Sequence, residues 1–374
     1  MNRAASAIEQ DAAYMRRALA LARNGWGQTA PNPMVGAVVV AGGQIIGEGY
    51  HARYGDDHAE VVALRAAASR ARGATLYVTL EPCTHYGKTP PCTDAIIEAG
   101  ITRVVIAVRD PSMVARGGAD RLRQAGIRAD IGVERDAACE LNAPFFNHAA
   151  LSKRPWVILK LAISADGAVA DPTGRHRWIT GEASRREVHH LRAGVDAIAV
   201  GIGTVLADNP ELTVRDVPQP RVAPRRVVFD NSFRIPLDAK LVTTARMVDT
   251  RIIGERSRAT PDRINPLMQA GLHVAANSSL LGGLEILRAT DDVRSLLVEA
   301  GPRLAGSFLS ESLADRLIIF QSQLVLGEQA PKAFAFAPHD FVSVLGSRRI
   351  VEQRRIGDDV MTTYALQDVP CSPD

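Results

Sequence analysis

The stretch T79-L-E-P-C83-T-H-Y-G-K88-T-P-P-C92, with H58-A-E60 upstream, decides the fold of the first part of the chain. One histidine and two cysteines are typical zinc ligands, and three protein ligands leave the fourth tetrahedral position open for water. In sites of this kind a glutamate two residues after the histidine is not a ligand and moves protons. His58, Cys83 and Cys92 therefore predict a catalytic zinc site in which Glu60 is the proton shuttle.

Two less specific interpretations of this stretch remain open. The cysteines could belong to a core helix, or the zinc could be purely structural. A closed structural site needs a fourth Cys or His, and His85 is poorly placed for that part because it follows Cys83 by only two residues. A structural site also has no use for Glu60. The sequence therefore favours zinc that activates water to remove an amino group from a ring carbon.

Length and composition point to a two-domain globular protein. The chain has 374 residues, a hydrophobic content of 46% and a net charge of +3, and domains usually have about 100–200 residues. Arginines occur in scattered pairs and aromatic residues make up 5%, so we expect a small-molecule substrate and no nucleic-acid partner. No apolar run approaches the roughly 20 residues that span a membrane. The first residues contain no apolar h-region, and four cysteines, two of them in the metal motif, suggest no disulfide framework, so we expect a cytoplasmic protein that is not exported.

Alternating strand and helix patterns predict an α/β architecture in both domains. In the first domain, helical spacing over 11–24 is followed by a hairpin at 37–50, a helix beginning at His58, and a strand before Glu81-Pro82, with Cys83 at a helix start. The stretch 142–156 contains two prolines and is interpreted as the connection. We expect domains at 1–147 and 148–374. Strands of the second domain are expected at 157–162, 197–200, 226–229, 251–253, 295–299 and 316–325, and helices at 182–193 and 303–311.

The few lysines are informative, because the chain has only five of them against 39 arginines. A lysine that persists in such a composition suggests a place where a compact ammonium is needed. Lys88 lies between the two zinc cysteines. Eight residues separate these cysteines here, whereas two residues separate them in the usual deaminase signature. It could hold a phosphate or a polar ring substituent, although a flexible surface lysine is the simpler interpretation. Lys160, inside an apolar strand, is a second candidate.

These motifs and P31-N-P-M-V-G36 resemble the deaminase half of the bifunctional riboflavin-biosynthesis deaminase–reductases. The resemblance implies a cytidine-deaminase-like domain followed by a dihydrofolate-reductase-like domain. It further implies that a diaminopyrimidinone ribosyl phosphate is the substrate and that its contacts are Asn32, His51, Lys88 and Asp110. Ser112 stands where the family has asparagine, which puts a substrate contact from that position in doubt.

The second domain contains two turns that join a strand to a helix through glycine, G201-I-G203-T and E299-A-G-P-R-L-A-G306. The amide groups of such turns can hold a phosphate. The first turn lacks the third glycine of a dinucleotide fingerprint, and two ordinary loops remain an alternative. Both turns together fit a nucleotide cofactor better than either one does alone.

The second domain also resembles the family's reductase, through K160-L-A-I-S-A-D-G167, W178-I-T180 and T204-V-L-A-D-N-P-E-L-T-V-R215. The resemblance implies NADPH, with hydride delivery to the ribosyl group. Residues implied to bind the cofactor are Lys160, Ala162, Trp178, Thr180, Thr204, Asp208, Gly301, Pro302, Arg303, Leu304, Ala305, Gly306 and Ser307. Residues implied to contact the substrate are Asp166, His176, Arg192, Leu212, Arg215 and Glu299. His176 departs from the family's usual serine.

The sequence thus predicts a bifunctional enzyme with one zinc ion and NADPH, acting on a small molecule. A homo-oligomer is expected because enzymes of this kind often form one. Two alternatives are a monofunctional zinc nucleobase deaminase with a non-catalytic, nucleotide-sensing second domain, and a zinc-stabilised sensor without turnover. The second-domain motifs argue against the former, and Glu60 argues against the latter.

Overall fold

The computed structural model describes residues 2–371 of the chain, with side chains from residue 8 onward. The chain forms two compact units. The first runs to Ser152 and includes the chain again from Val369, whereas the second is Lys153–Asp368. The boundary expected after residue 147 lies inside a helix of the first unit, Ala143–Ala149. The first part of the stretch 142–156 is therefore helical, because its proline at position 144 occupies the first turn of that helix, where an amide donor is not needed.

The first unit is built on a five-stranded sheet in the order β2-β1-β3-β4-β5. β1 is antiparallel to both β2 and β3, and β3, β4 and β5 are parallel. The strands are β1 Gly36–Ala41, β2 Gln44–Tyr50, β3 Thr75–Val78, β4 Arg103–Ile106 and β5 Arg128–Ile131. The helices are α1 Asn2–Ala22, α2 Ala59–Ala67, α3 Cys92–Glu98, α4 Gly118–Gln124, α5 Arg135–Leu141 and α6 Ala143–Ala149.

Helices cover both faces of this sheet. Apolar residues of α2, α3 and α4 pack on one face, and those of α1, α5 and α6 pack on the other. β1 is consequently buried along nearly its whole length, which explains its unbroken apolar sequence. The predicted hairpin is confirmed, and Gly42 and Gly43 form its turn with positive φ angles of 56° and 77°. A disulfide joins Cys139 of α5 to Cys371, a pairing that the cysteine count did not predict.

The second unit contains a nine-stranded sheet in the order β10-β9-β8-β7-β11-β6-β12-β14-β13. The seven strands from β10 to β12 are parallel, and β14 and β13 continue the sheet in antiparallel fashion. The strands are β6 Trp156–Ile163, β7 Ala197–Gly201, β8 Arg225–Phe229, β9 Thr250–Glu255, β10 His273–Asn277, β11 Ser295–Glu299, β12 Arg316–Gln321, β13 Ile350–Ile356 and β14 Asp359–Ala365. The helices are α7 Glu182–Ala193, α8 Ile202–Asp208, α9 Lys240–Thr243, α10 Pro261–Gln269, α11 Leu280–Asp291, α12 Pro302–Ser310 and α13 Phe341–Leu345.

The α/β class predicted for both parts of the chain is confirmed. The helix expected at 182–193 is α7, and the strand expected to reach residue 325 ends earlier, at Gln321. Sequence analysis did not find β10, which is only partly buried and carries few strongly apolar residues. Across residues 2–371, no helix combines the length and the hydropathy needed to cross a membrane.

Two neighbouring isoleucines of α3 provide a test of this packing. Ile96 is completely buried, whereas Ile97 is 37% exposed. Ile96→Ala should reduce the free energy of unfolding by about 2–5 kcal/mol because it leaves a cavity in the core. Ile97→Ala is the matched control and should cost no more than about 1 kcal/mol. Urea unfolding of the zinc-replete protein, followed by circular dichroism, measures both, and equal losses would contradict this packing.

Candidate active sites

The three predicted zinc ligands lie together in the first unit. His58 is the residue preceding α2, Cys83 follows β3 in an irregular segment, and Cys92 begins α3. The Nδ1 atom of His58 lies 3.1 Å from Sγ of Cys92 and 3.6 Å from Sγ of Cys83. All three ligand atoms lie within 4.8 Å of one another. One imidazole and two thiols at this separation suit tetrahedral zinc.

The prediction that a helix starts at Cys83 is wrong, because the helix begins at Cys92. The eight intervening residues form a loop without helix or strand, since Pro90 and Pro91 cannot donate backbone hydrogen bonds. The backbone N–H of Cys92 donates to Sγ of Cys83 over 3.3 Å, so the two ends of the loop are joined at the Cys83 sulfur. His85 is not a member of the ligand group.

Glu60 stands in the first turn of α2, where it is only 3% exposed. Burial raises the pKa of its carboxyl group. A hydrogen bond with Cys92, supported by His58, lowers the pKa of the Cys83 thiol to about 4. A cysteine that is readily ionised to the thiolate and a buried carboxyl group next to the ligand group fit a site that binds zinc and moves protons.

Asn32 and His51, both predicted to contact substrate, are brought together beside the ligands. His51 Nδ1 lies 3.2 Å from the carbonyl oxygen of Asp57, and Nε2 lies 3.4 Å from Nδ2 of Asn32. Because a carbonyl can only accept, Nδ1 carries the proton and Nε2 accepts from the amide. Burial lowers the pKa of His51, which keeps the ring neutral. Its ring stands edge-on to that of His58, with centroids 5.4 Å apart.

Asp110 and Lys88 complete the predicted substrate contacts of this unit. Burial raises the pKa of Asp110 to about 6. Lys88 is exposed, and its ammonium lies 4.1 Å from the centre of the Tyr54 ring. Sequence analysis missed Glu81, whose buried carboxylate accepts the backbone N–H groups of Asp110 and Ala119. Glu81 thereby fixes the segment that carries Asp110, and its place directly before Pro82 gave no signal of this role.

A cavity of about 1420 Å³ lies along the carboxyl ends of the parallel strands in the second unit. This edge of a parallel sheet is where α/β proteins bind nucleotides. Most of the predicted reductase residues line it: Lys160, Ala162, His176, Trp178, Thr180, Arg192, Thr204, Asp208, Leu212, Arg215, Glu299, Gly301, Pro302, Arg303, Leu304 and Ser307. The structure thus assembles residues that are up to about 150 positions apart in the chain into one wall.

The two glycine turns meet at this cavity. A Cβ atom added to Gly201 would lie 3.5 Å from the Leu304 side chain, and one added to Gly301 would lie 4.0 Å from Oγ1 of Thr204. Side chains at these two positions would fill the space between the turns. The chemistry of the wall, with two amide-bearing turns and several arginines, fits a dinucleotide with its diphosphate.

Charged groups are concentrated where β6 and β11 run side by side. Arg192 donates to both oxygens of Glu299, at 2.5 and 3.0 Å, and Nζ of Lys160 lies 3.8 Å from the same carboxylate. Burial by itself raises the pKa of Glu299, but Arg192 and then Lys160 outweigh it and lower that pKa to about 2. Glu299 therefore stays ionised and holds the two cations in place.

Three predicted residues are not part of the cavity wall. Asp166 instead accepts the backbone N–H groups of Leu326 and Gly327 and the ammonium of Lys332, so it joins two loops. Ala305 is fully buried within α12. Gly306 packs against Phe336, where an added Cβ would come within 2.3 Å of the backbone oxygen.

Several wall residues were missed by sequence analysis. Asn231, Ser232 and Arg234 follow β8, and Lys240 opens α9. The ammonium of Lys240 lies 3.1 Å from a carboxylate oxygen of Glu211, which also lines the cavity. For Asn231, Ser232 and Arg234 the available signal was their position directly after a parallel strand.

The ligand group and Glu60 of the first unit support hydrolytic deamination, and the cavity of the second unit supports nucleotide-dependent reduction. The chain therefore falls in the class of two-domain deaminase–reductases. Residues 8–108 match the family described as the cytidine and deoxycytidylate deaminase zinc-binding region, and residues 155–360 match the RibD C-terminal domain. The chain belongs to the RibD family of riboflavin-biosynthesis proteins. It is a bifunctional enzyme, a deaminase and a reductase, whose cofactors are zinc and NADPH.

Relatives match over nearly the full length. The chain is 40% identical to the riboflavin biosynthesis protein RibD of Escherichia coli strain K12, over 94% of this chain and 98% of that protein. A crystal structure of the Thermotoga maritima deaminase/reductase is 36% identical, with a TM-score of 0.79, and covers 96% of this chain and 99% of that one. Acinetobacter baumannii RibD is also 36% identical, with a TM-score of 0.78 and the same coverage.

Zinc content tests the assignment of the ligands. Cys92→Ser should lose the single zinc ion because it removes a thiolate ligand. Glu60→Gln is the matched control and should keep zinc, since Glu60 is outside the ligand group. Elemental analysis after gel filtration in the presence of a chelator measures the difference. Retention of zinc by Cys92→Ser at the wild-type level would contradict this ligand set.

Proposed function

We propose that the first domain hydrolytically deaminates 2,5-diamino-6-ribosylamino-4(3H)-pyrimidinone 5′-phosphate and that the second reduces the ribosyl chain of the product to ribityl with NADPH. The supporting relative from Thermotoga maritima is described as a diaminohydroxyphosphoribosylaminopyrimidine deaminase and 5-amino-6-(5-phosphoribosylamino)uracil reductase. The observation that carries the proposal is that one chain holds both the zinc ligand group with Glu60 and the nucleotide-sized cavity.

The residues of the first domain divide the deamination between them. Zinc, when bound, activates a water molecule for attack on the ring carbon. Glu60 takes a proton from that water and passes it to the departing amino group, which leaves as ammonia while a carbonyl forms. Neutral His51 contacts the pyrimidine ring and orients Asn32, whose remaining amide groups offer hydrogen bonds to it, and Lys88 offers a positive charge to the phosphate.

In the second domain the protein supplies orientation and charge, and NADPH supplies the hydride. The ionised pair of Arg192 and Glu299, with Lys160 beside it, orders polar groups where the substrate sugar would lie. Arg215 is exposed at the rim of the same cavity and suits the substrate phosphate. The assembled cavity argues against a monofunctional deaminase whose second domain does not catalyse. A homo-oligomer and a cytoplasmic location stay predictions, which gel filtration and cell fractionation test.

Glu60→Gln tests the proton shuttle. The variant should release ammonia from the diaminopyrimidinone ribosyl phosphate about 10²–10⁴ times more slowly, which is the range that general acid–base catalysis contributes. Its reductase activity on the separately deaminated substrate should not change. Glu98→Gln, at an exposed position of α3, is the control. Wild-type ammonia release by Glu60→Gln would exclude the role.

Arg192→Met tests the charged pair of the second domain. It leaves the buried carboxylate of Glu299 without its hydrogen-bonded partner, and loss of one partner of a buried pair costs about 3–5 kcal/mol. We therefore expect kcat/KM for NADPH oxidation to fall at least about 100-fold, with ammonia release unchanged. Arg186→Met, exposed on the same helix, is the control. Equal activities of the two variants would contradict the role of Arg192.

A further inference from the structure

Asn142 stands at the junction of α5 and α6, inside the stretch that sequence analysis interpreted as the connection between the domains. Its side chain is buried, with 5% exposure. An asparagine directly before a helix commonly accepts a hydrogen bond from the first amides of that helix. Among residues 8–371, however, no amide of α6 donates to the Asn142 side chain. A buried amide group without this role has to find other partners, because burial of an unbonded polar group is unfavourable.

The partner of the Asn142 side chain is the backbone of Met34, 108 positions earlier in the chain. Oδ1 of Asn142 accepts the Met34 N–H over 2.8 Å, and Nδ2 donates to the Met34 carbonyl oxygen over 2.9 Å. Since a backbone N–H can only donate, the pairing also fixes which end of the side-chain amide faces it. The two bonds resemble the pair that residues of neighbouring antiparallel strands exchange, and they fix the Met34 backbone to the end of α5.

Met34 belongs to the segment before β1 that carries Asn32, a predicted substrate contact. Prolines precede and follow Asn32, and proline has no N–H to donate. The segment therefore has few backbone donors that can fix its shape. The N–H of Asn32 donates to the Thr29 carbonyl oxygen over 2.9 Å, and the N–H of Met34 donates to Asn142. Asn142 thus holds a part of the segment that is outside the sheet.

The same segment is also attached to His51 at the deaminase site. The N–H of His51 donates to the Val35 carbonyl oxygen over 2.9 Å, and Nε2 of its ring lies 3.4 Å from Nδ2 of Asn32. His51 and Asn142 therefore hold the segment through separate hydrogen bonds. Without the bonds to Asn142, the backbone two residues after Asn32 would lose both of its side-chain partners.

We propose that Asn142 is a positioning residue of the deaminase, which fixes Asn32 for the pyrimidine substrate through the backbone of Met34. Asn142 is not a member of the zinc ligand group. Among residues 8–371, its side-chain hydrogen bonds go only to Met34. Its influence on the reaction therefore passes through that backbone. This inference rests on the proposed deamination and on the substrate contact of Asn32, and it gives the end of α5 a part in the first reaction.

The test is a double-mutant cycle of ammonia release by the zinc-replete whole protein, with the diaminopyrimidinone ribosyl phosphate as substrate. The variants are Asn32→Ala, Asn142→Ala and the double variant. Each single variant should raise KM about tenfold, as for the loss of one substrate hydrogen bond, and lower kcat less than about threefold. The double variant should raise KM no more than about threefold beyond Asn32→Ala, because residues that act through one contact are not additive.

Asn147→Ala is the matched control, since Asn147 is a buried asparagine of α6 and its substitution reports general damage to the helices. Its KM should stay within about twofold of wild type. Circular dichroism and the reductase activity, which belongs to the other unit, check folding. If Asn142→Ala does not fold, Asn142→Asp takes its place in the cycle. Asp keeps an acceptor for the Met34 N–H but has no donor for the carbonyl, so KM should still rise at least about threefold.

A KM that rises about 100-fold in the double variant, as the product of two independent effects, would overturn the inference and leave Asn142 a purely structural role. An unchanged KM in the Asn142 variant would overturn it as well. A raised KM in Asn142→Ala together with an unchanged KM in Asn32→Ala would exclude the path through Asn32. Wild-type protein that releases no ammonia from this substrate would refute the proposed deamination itself.

Discussion

Each sheet contains a run of parallel strands, β3 to β5 in the first unit and β10 to β12 along the sheet order of the second, and this pairing controls where the chemistry is located. Parallel strands end at the same edge, so the segments that follow them are brought together even when they are far apart in the chain. In the first unit, Cys83 follows β3 and Asp110 follows the neighbouring β4. In the second unit, the glycine turns follow β7 and β11, which also pair in parallel. Without this shared edge, the residues identified by motif would not form sites.

Two buried glutamates show that the charged residues around a carboxyl group determine its role. Among residues 8–371, no basic side chain has a hydrogen bond or ion pair with the buried Glu60, and burial raises its pKa. Glu299 has Arg192 and Lys160 beside it, and their charges lower its pKa to about 2. A carboxyl group that exchanges its proton suits general acid–base work, whereas a permanently ionised one suits positioning. The deaminase and reductase halves thus use the same residue type for different purposes.

The long cysteine spacing separates this chain from the short deaminase signature. The two ends of the loop between Cys83 and Cys92 are joined by a hydrogen bond from the backbone N–H of Cys92 to the sulfur of Cys83. Lys88 is carried on that loop and rests against Tyr54. The additional residues therefore carry an exposed ammonium, which the proposed function assigns to the substrate phosphate.

The sequence by itself determined the α/β class, the three zinc ligands with Glu60, and the glycine turns, because each depends on residue types at short spacing. It could not show that the helix begins at Cys92 instead of Cys83, since proline geometry and sulfur hydrogen bonding decide that locally. Nor could it show that Asp166 joins two loops outside the cavity wall, or that Arg258 and Arg263 meet at Ser232. Those contacts join residues about 26–166 positions apart, and only strand order and parallel register bring such residues together.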